Sequence, residues 1–251
     1  MRLLGIFLAL AAGLAFAQAQ PADREALWKE VAAAEKKGLP KTAAARLQLI
    51  YDSALRDGQH AEAIKALAKR ITHEGAVQGN KPEEKITRLR AELEKTPAEA
   101  RPLLQTILGH WYWQYFRANR YRFLQRTATA QPLGDDFTTW DLPRLYREID
   151  LHFTNALADG RLKTIPTTDF ADLLTKPTLP EHYRPTLYDF IAHEALGFYT
   201  SGEFSAAKPE DAFEVRVSDP LLGPLDKFLA WVPETTDTES PQFKAVRLYQ
   251  D

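Results

Sequence analysis

The 251-residue sequence predicts an all-α protein. Apolar residues return at three- and four-residue steps through most of the chain, and Gly or Pro punctuates those runs at helix-length intervals. A third observation gives the helices a centre. Across residues 103–127 (LLQTILGHWYWQYFRANRYRFLQRT), Leu104, Ile107, Leu108, Trp111 and Tyr115 fall on one stripe. Trp113 and Phe116 widen that stripe past what one neighbouring helix covers, so this stretch is expected to lie centrally, with partners on several sides.

The chain opens with Arg2, an apolar run from Leu3 to Ala17, and small residues at Ala15, Ala17 and Ala19. That is the pattern of a secretory signal peptide over residues 1–19, with cleavage after Ala17 or Ala19 fitting equally well. The run is short for a bilayer span, so no stable membrane insertion is expected after cleavage. An exported chain is expected in the periplasm, the cell envelope or the medium. There are no cysteines, which excludes disulfides, thiol nucleophiles, Cys-based metal sites and a lipid-modified N-terminal Cys. Thirty-two Lys and Arg against 34 Asp and Glu leave a net charge of −2, which argues against nucleic acid as a partner.

Residues 20–96 read as helical hairpins. Asp23 caps a helix to Lys37 with Leu27, Val31 and Ala34 on its stripe and Trp28 beside it. Gly38 stops it, and Pro40 suits the first turn of the next, Lys41 to Arg56, which aligns Ala44, Leu47, Ile50, Tyr51 and Leu55. Gly58 ends that helix. The third, Ala61 to His73, carries Ile64, Leu67 and Ile71; the fourth starts at Asn80 and Pro82 and carries Ile86, Leu89 and Leu93. The small-residue spacing in AAARLQLIYDSALRDGQHAEAIKAL is tetratricopeptide-like, although the Trp–Leu–Gly signature is incomplete and an ordinary bundle satisfies the same pattern.

Residues 97–251 form the aromatic-centred part. Thr96-Pro97-Ala98-Glu99 has the composition of a capping box, and Pro102 kinks or restarts the helix that follows. Past Thr127 comes a polar loop with Pro132, Gly134, Asp135 and Asp136, leading to Trp140. Asp141 and Pro143 open a helix presenting Leu145, Ile149, Phe153 and Leu157, closed by Gly160. A long Pro-containing connection from Arg161 to Tyr183 follows, with one helical turn expected at Phe170–Leu174. Pro185 and Thr186 then start LYDFIAHEALGFY, which Gly202 ends. A short strand at Phe213–Val217, a helix at Leu225–Trp231 and a last helix from Ser240-Pro241 complete the reading. That last helix has little room to bury anything, so the chain is expected to be the truncated front of something longer.

No residue stands out as catalytic, cofactor-binding or metal-ligating. Of the six histidines, His110, His152, His182 and His193 are the plausible metal ligands besides carboxylates, but no pair of His sits at i and i+4 on one helix, and His193-Glu194 lacks the second His of H-E-x-x-H. Arg117, Arg120, Arg122 and Arg126 interleave with Phe116, Tyr121 and Phe123 as in a single-strand binder. In a near-neutral exported chain they are expected instead to fork onto Asp135, Asp136 or Asp141. Adjacent Asp135 and Asp136 lack the alternation of a calcium loop and are expected to serve as caps or arginine partners. Ser201 and Ser205 have no G-x-S-x-G context, and no Gly-rich phosphate loop is present. An enzyme reading would require His193, Glu194 and distant acids to meet in one cleft.

Three segments carry a family likeness: HWYWQYFRANRYRFLQRT, DDFTTWDLPRLYREIDLHF and RPTLYDFIAHEALGFYT. With the opening hairpins, they resemble the N-terminal helical region of bacterial alpha-2-macroglobulin-like proteins, the large extracellular alpha-helical proteins. The resemblance covers nearly all of the chain past the leader. In that family, full-length members are endopeptidase inhibitors of the envelope: a protease cuts a bait segment and is trapped, in many members with a Cys–Gln thioester. Without a Cys this chain forms no thioester, and no functional residue of the family maps onto it. The resemblance implies a non-catalytic helical front end, partnered by a protein or by further domains of its own polypeptide, and linked to protease inhibition only within the longer protein. The alternative is a free-standing periplasmic helix-repeat scaffold that binds a protein. It would present a concave apolar groove on its first four helices.

Overall fold

The computed structural model describes residues 24–79, 81–125, 134–171, 173–174, 183–202 and 212–251. The fold is all-α, as the periodicity predicts: among the described residues there are ten α-helices and no strand. The leader, Asp23, Asn80, Arg126, His182 and Ser205 lie outside the described residues.

The first four helices are α1 (Arg24–Lys36), α2 (Pro40–Arg56), α3 (His60–Val77) and α4 (Pro82–Leu93). Each packs on the next. Gly38 and Gly58 take φ of +65° and +69° in the turns after α1 and α2, a left-handed conformation that β-carbon-bearing residues adopt at a cost. The predicted stripes are inside: Val31 and Ala34, then Leu47, Ile50 and Tyr51, then Ile64, Leu67 and Ile71, then Ile86 and Leu89. On α2 the buried small residue is Ala43 rather than Ala44, with Ser53 and Ala54 near its end. Arg70 is buried with them, its Nη2 3.0 Å from Glu92 and its guanidinium over the Tyr51 ring.

The aromatic stretch forms α5 (Arg101–Ala118), touched by α4, by α7 (Leu142–Leu157) and by α8 (Leu187–Tyr199). Asn119 interrupts it, and only a short α6 (Arg120–Leu124) follows. Pro102 sits in the first turn, where its missing N–H is harmless, so it starts the helix instead of kinking it. The face turned inward differs from the expected stripe. Leu104, Leu108, Tyr115 and Phe116 are buried, but the side chain at the axis is Tyr112, fully enclosed, whereas Ile107 and Trp111 are half-buried. The Tyr112 ring meets Phe137 edge-on at 5.1 Å and stacks on His152 at 5.5 Å. Gly109 makes the approach of α7 possible: a β-carbon there would lie 3.3 Å from the Phe153 ring and 3.4 Å from the His152 Cβ.

Other expectations change for local reasons. The Thr96 hydroxyl donates back to the Glu92 carbonyl at 2.7 Å, so it does not cap α5, whose first turn has no side-chain cap. A capping box does form at α8, where Thr186 Oγ1 accepts from the Asp189 amide and the Asp189 carboxylate accepts from the Thr186 amide at 2.9 Å. The turn expected at Phe170–Leu174 has the backbone bond of one helical turn, the Leu174 amide donating to the Phe170 carbonyl at 3.0 Å, and it follows a 3₁₀ turn over Thr167–Phe170. Phe213–Val217 is extended without a strand partner: the Phe213 and Val215 amides donate to the side chains of Asp237 and Gln242. Two helices end the chain, α9 (Leu225–Ala230) and α10 (Pro241–Gln250). Contrary to expectation, α10 buries Ala245 and Val246 and packs on α8.

Because Tyr112 and Phe116 are enclosed and Trp111 is not, Phe116→Ala should cost about 3–5 kcal/mol in urea unfolding and Trp111→Ala about 1–2 kcal/mol. A larger loss at Trp111 than at Phe116 would place the helix in the wrong rotation about its axis.

Candidate functional site

The most concentrated set of polar groups inside the body lies where α4, α5 and α7 meet. Helix α7 is capped by Asp141, whose carboxylate accepts from the Arg144 amide at 2.9 Å, and its i, i+4 pair Glu148 and His152 faces α5. His152 is 6% exposed, and its Nδ1 is hydrogen-bonded to Gln105 Oε1 of α5. An amide oxygen only accepts, so Nδ1 carries the proton, and Nε2 is buried without a hydrogen-bond partner, 3.6 Å from Glu148 Oε1. Arg90 reaches in from α4 and donates to the Asp135 carbonyl at 3.2 Å.

Burial dominates the electrostatics of this cluster. It pushes the His152 imidazole down to about 4, with the Arg90 charge pushing the same way. Burial raises the Tyr112 hydroxyl, and Arg90 opposes that shift. Burial also raises Glu148, while Arg90 and Arg144 pull it down. At neutral pH the cluster therefore holds a neutral histidine and a neutral phenol near the Arg90 and Arg144 guanidiniums. It is an internal stitch between helices, joining α5 to α7 through Gln105 and His152.

The other singled-out residues are dispersed. His110 Nδ1 is 3.5 Å from Glu194, and its Nε2 is 2.7 Å from the Gln114 amide. His193 bonds the Asp189 carbonyl of its own helix at 2.8 Å, so it is not drawn to Glu194 and the acids. Arg117 lies over the Trp113 ring, while Arg122 lies over Phe123 and donates to the Thr138 carbonyl. Asp136 and Asp141 are caps, the first accepting from the Thr138 amide at 3.0 Å. Ser201 sits in the turn after α8, its amide on the Phe198 carbonyl. No group of three or more His, Asp or Glu side chains able to hold a metal ion occurs among the described residues, and no described helix is long and apolar enough to cross a membrane.

A second polar network, absent from the sequence reading, ties α10 to the body. Asp150 of α7 accepts from Tyr199 Oη at 2.8 Å and from Lys244 Nζ at 2.6 Å, and Lys244 also meets Glu239. Asp251 accepts from Lys163 at 2.7 Å and from the Tyr188 hydroxyl. These contacts border an open groove of about 720 Å³ between α7, α8, α9 and α10. Its only sequence-level signal is Lys244, a charge among the apolar positions of a short helix.

Comparison of the chain with models of protein families, with curated proteins and with solved structures gives no match.

The buried histidine fixes a pH dependence. Its folded value lies below the ordinary 6.5, so its contribution is full above pH 6.5. As pH falls toward 4, the unfolded chain takes up a proton that the folded chain refuses, and roughly 3 kcal/mol is lost. Glu148, raised by burial, works the other way near its own range, since the folded chain protonates it first. His152→Gln should flatten the fall in unfolding free energy between pH 6.5 and 4.5 measured by urea titration. An unchanged slope would show that His152 is not the responsible group.

Proposed function

We propose that this chain is a non-catalytic, exported helical scaffold that binds protein, and that it forms the N-terminal helical region of an alpha-2-macroglobulin-like protein. On this reading it takes part in protease inhibition only within the longer polypeptide and traps no protease alone. The observation that carries the scaffold reading is the distribution of exposed apolar side chains. Val217, Leu222, Leu225, Leu229, Val232 and Tyr249 are all exposed within the last forty residues, Leu229 lining the groove, whereas residues 24–79 and 81–93 expose only Leu39, Leu49 and Val77 among their large apolar residues. Clustered exposed apolar surface of this kind marks a protein-binding face.

The free-standing repeat scaffold has one observation in its favour: α2 and α3 pack on each other, and both bury small residues, Ala43 and Ala54 on α2 and Ala63 and Ala66 on α3. The apolar face it calls for on the first four helices is the weaker of the two, and the front-end reading therefore leads.

An antibody raised against the purified chain, used to probe fractionated cells of the source organism, tests the proposal. The expected result is an envelope-associated species much larger than 28.4 kDa. A cytoplasmic species, or an exported one of that size alone, would contradict it. The purified chain should also leave the turnover of a general protease unchanged and form no detergent-stable complex with it.

A further inference from the structure

Residues 212–251 bond to one another across α9, α10 and the extended stretch before them. The Phe213 ring meets Phe243 edge-on at 5.8 Å and lies 6.4 Å from the Trp231 ring. The Phe213 carbonyl accepts from the Ser240 hydroxyl at 3.3 Å, while the Phe213 and Val215 amides donate to Asp237 and Gln242. Gln250 of α10 donates its side-chain amide to the Phe228 and Trp231 carbonyls at the end of α9, at 2.7 and 2.8 Å. Helix α9 in turn packs on the 3₁₀ turn Pro220–Leu222. Phe213, Phe228, Trp231 and Phe243 lie outside the core that runs from Val31 to Ala245, so the segment has a small aromatic centre of its own.

The segment is attached to the body in a different way. Only Phe228 of α9, and only Ala245 and Val246 of α10, are buried. Ala245 belongs to the main core and Leu248 packs against it. Polar bonds complete the attachment. Lys244 reaches Asp150 of α7 at 2.6 Å, and Asp150 is also held by the Tyr199 hydroxyl. Asp251 accepts from Lys163 at 2.7 Å and from the Tyr188 hydroxyl. Along this seam the two surfaces do not close on each other: Leu157 and Tyr188 of the body and Leu229 and Phe243 of the segment line the groove of about 720 Å³. Side chains bordering such a space lack the dispersion contacts of a packed interior.

We propose that residues 212–251 form a latched flap, which lifts from α7 and α8 as one unit at lower cost than global unfolding, with Lys244 and Asp251 as its latches. A segment opens as a unit when its internal bonds survive the opening and few apolar contacts are lost. Lifting exposes Ala245, Leu248 and the α7–α8 face around Leu157, and it leaves Asp150 bonded to Tyr199. Two charge-assisted bonds therefore govern how firmly the flap is closed.

Native-state hydrogen exchange in low urea, resolved by residue, tests the flap on the intact chain and on Lys244→Met and Lys163→Gln variants. The amides of Phe213, Phe228 and Ala245 through Gln250 should share one opening, at a lower free energy than those of α5 and α8. Lys244→Met should speed exchange of this whole set about tenfold and leave α8 unchanged. Lys163→Gln, which removes a more exposed partner and spares the core, should speed it about two- to fivefold. Three results would overturn the proposal. The set could exchange only together with α5 and α8, its members could open at unrelated free energies, or both variants could leave the set unmoved or accelerate α8 equally.

Discussion

The distance between α5 and α7 is set at Gly109. With no β-carbon there, the Phe153 ring and the His152 Cβ come within about the contact distance of the α5 backbone, closer than most side chains tolerate. That approach lets Tyr112 stack on His152, brings Glu148 to the inner face and seats Phe116 against Tyr146 at 5.2 Å. A bulkier residue at 109 would push the helices apart and leave the Tyr112 hydroxyl, raised by burial, in a looser and wetter setting. The core runs continuously from Val31 of α1 to Ala245 of α10, with α5 touched by α4, α7 and α8.

The charged groups inside this body act mainly as ties. Arg70 links α3 to Glu92, the α5–α7 pair is bridged by Gln105 and His152, and Lys244 and Tyr199 converge on Asp150. Ties of this kind resist removal of one partner more than they add net stability, because the orphaned group stays desolvated. They also position α10. Through Lys244 and Asp251 the last helix is held against α7 and α8, and this leaves α9 and the preceding turn with their leucines outward.

Much of the helical order was legible in the chain. The three-and-four spacing located α1 to α4, α7 and α8, and the buried residues on them are nearly those the spacing selects. The rotation of α5 was not legible, because aromatic residues occur around most of its circumference and periodicity alone cannot choose between Trp111 and Tyr112. Gly109 decides, through a contact with α7 that no local pattern encodes. The box at Thr96 failed because a threonine hydroxyl can bond backward to the carbonyl four residues earlier as readily as forward. The strand expected at Phe213 failed for want of a partner edge, its amides going to Asp237 and Gln242 instead. The groove was invisible because Asp150, Tyr199 and Lys244 are far apart in sequence and unremarkable singly.

The claim that α5 is the hub is tested most directly by native-state hydrogen exchange resolved by residue. The account predicts that the amides of α5 between Leu104 and Phe116, with those of α7 facing them, exchange last and only through global unfolding. The account would be contradicted if α5 exchanged faster than α2 and α3, because the N-terminal helices would then hold the body together without it.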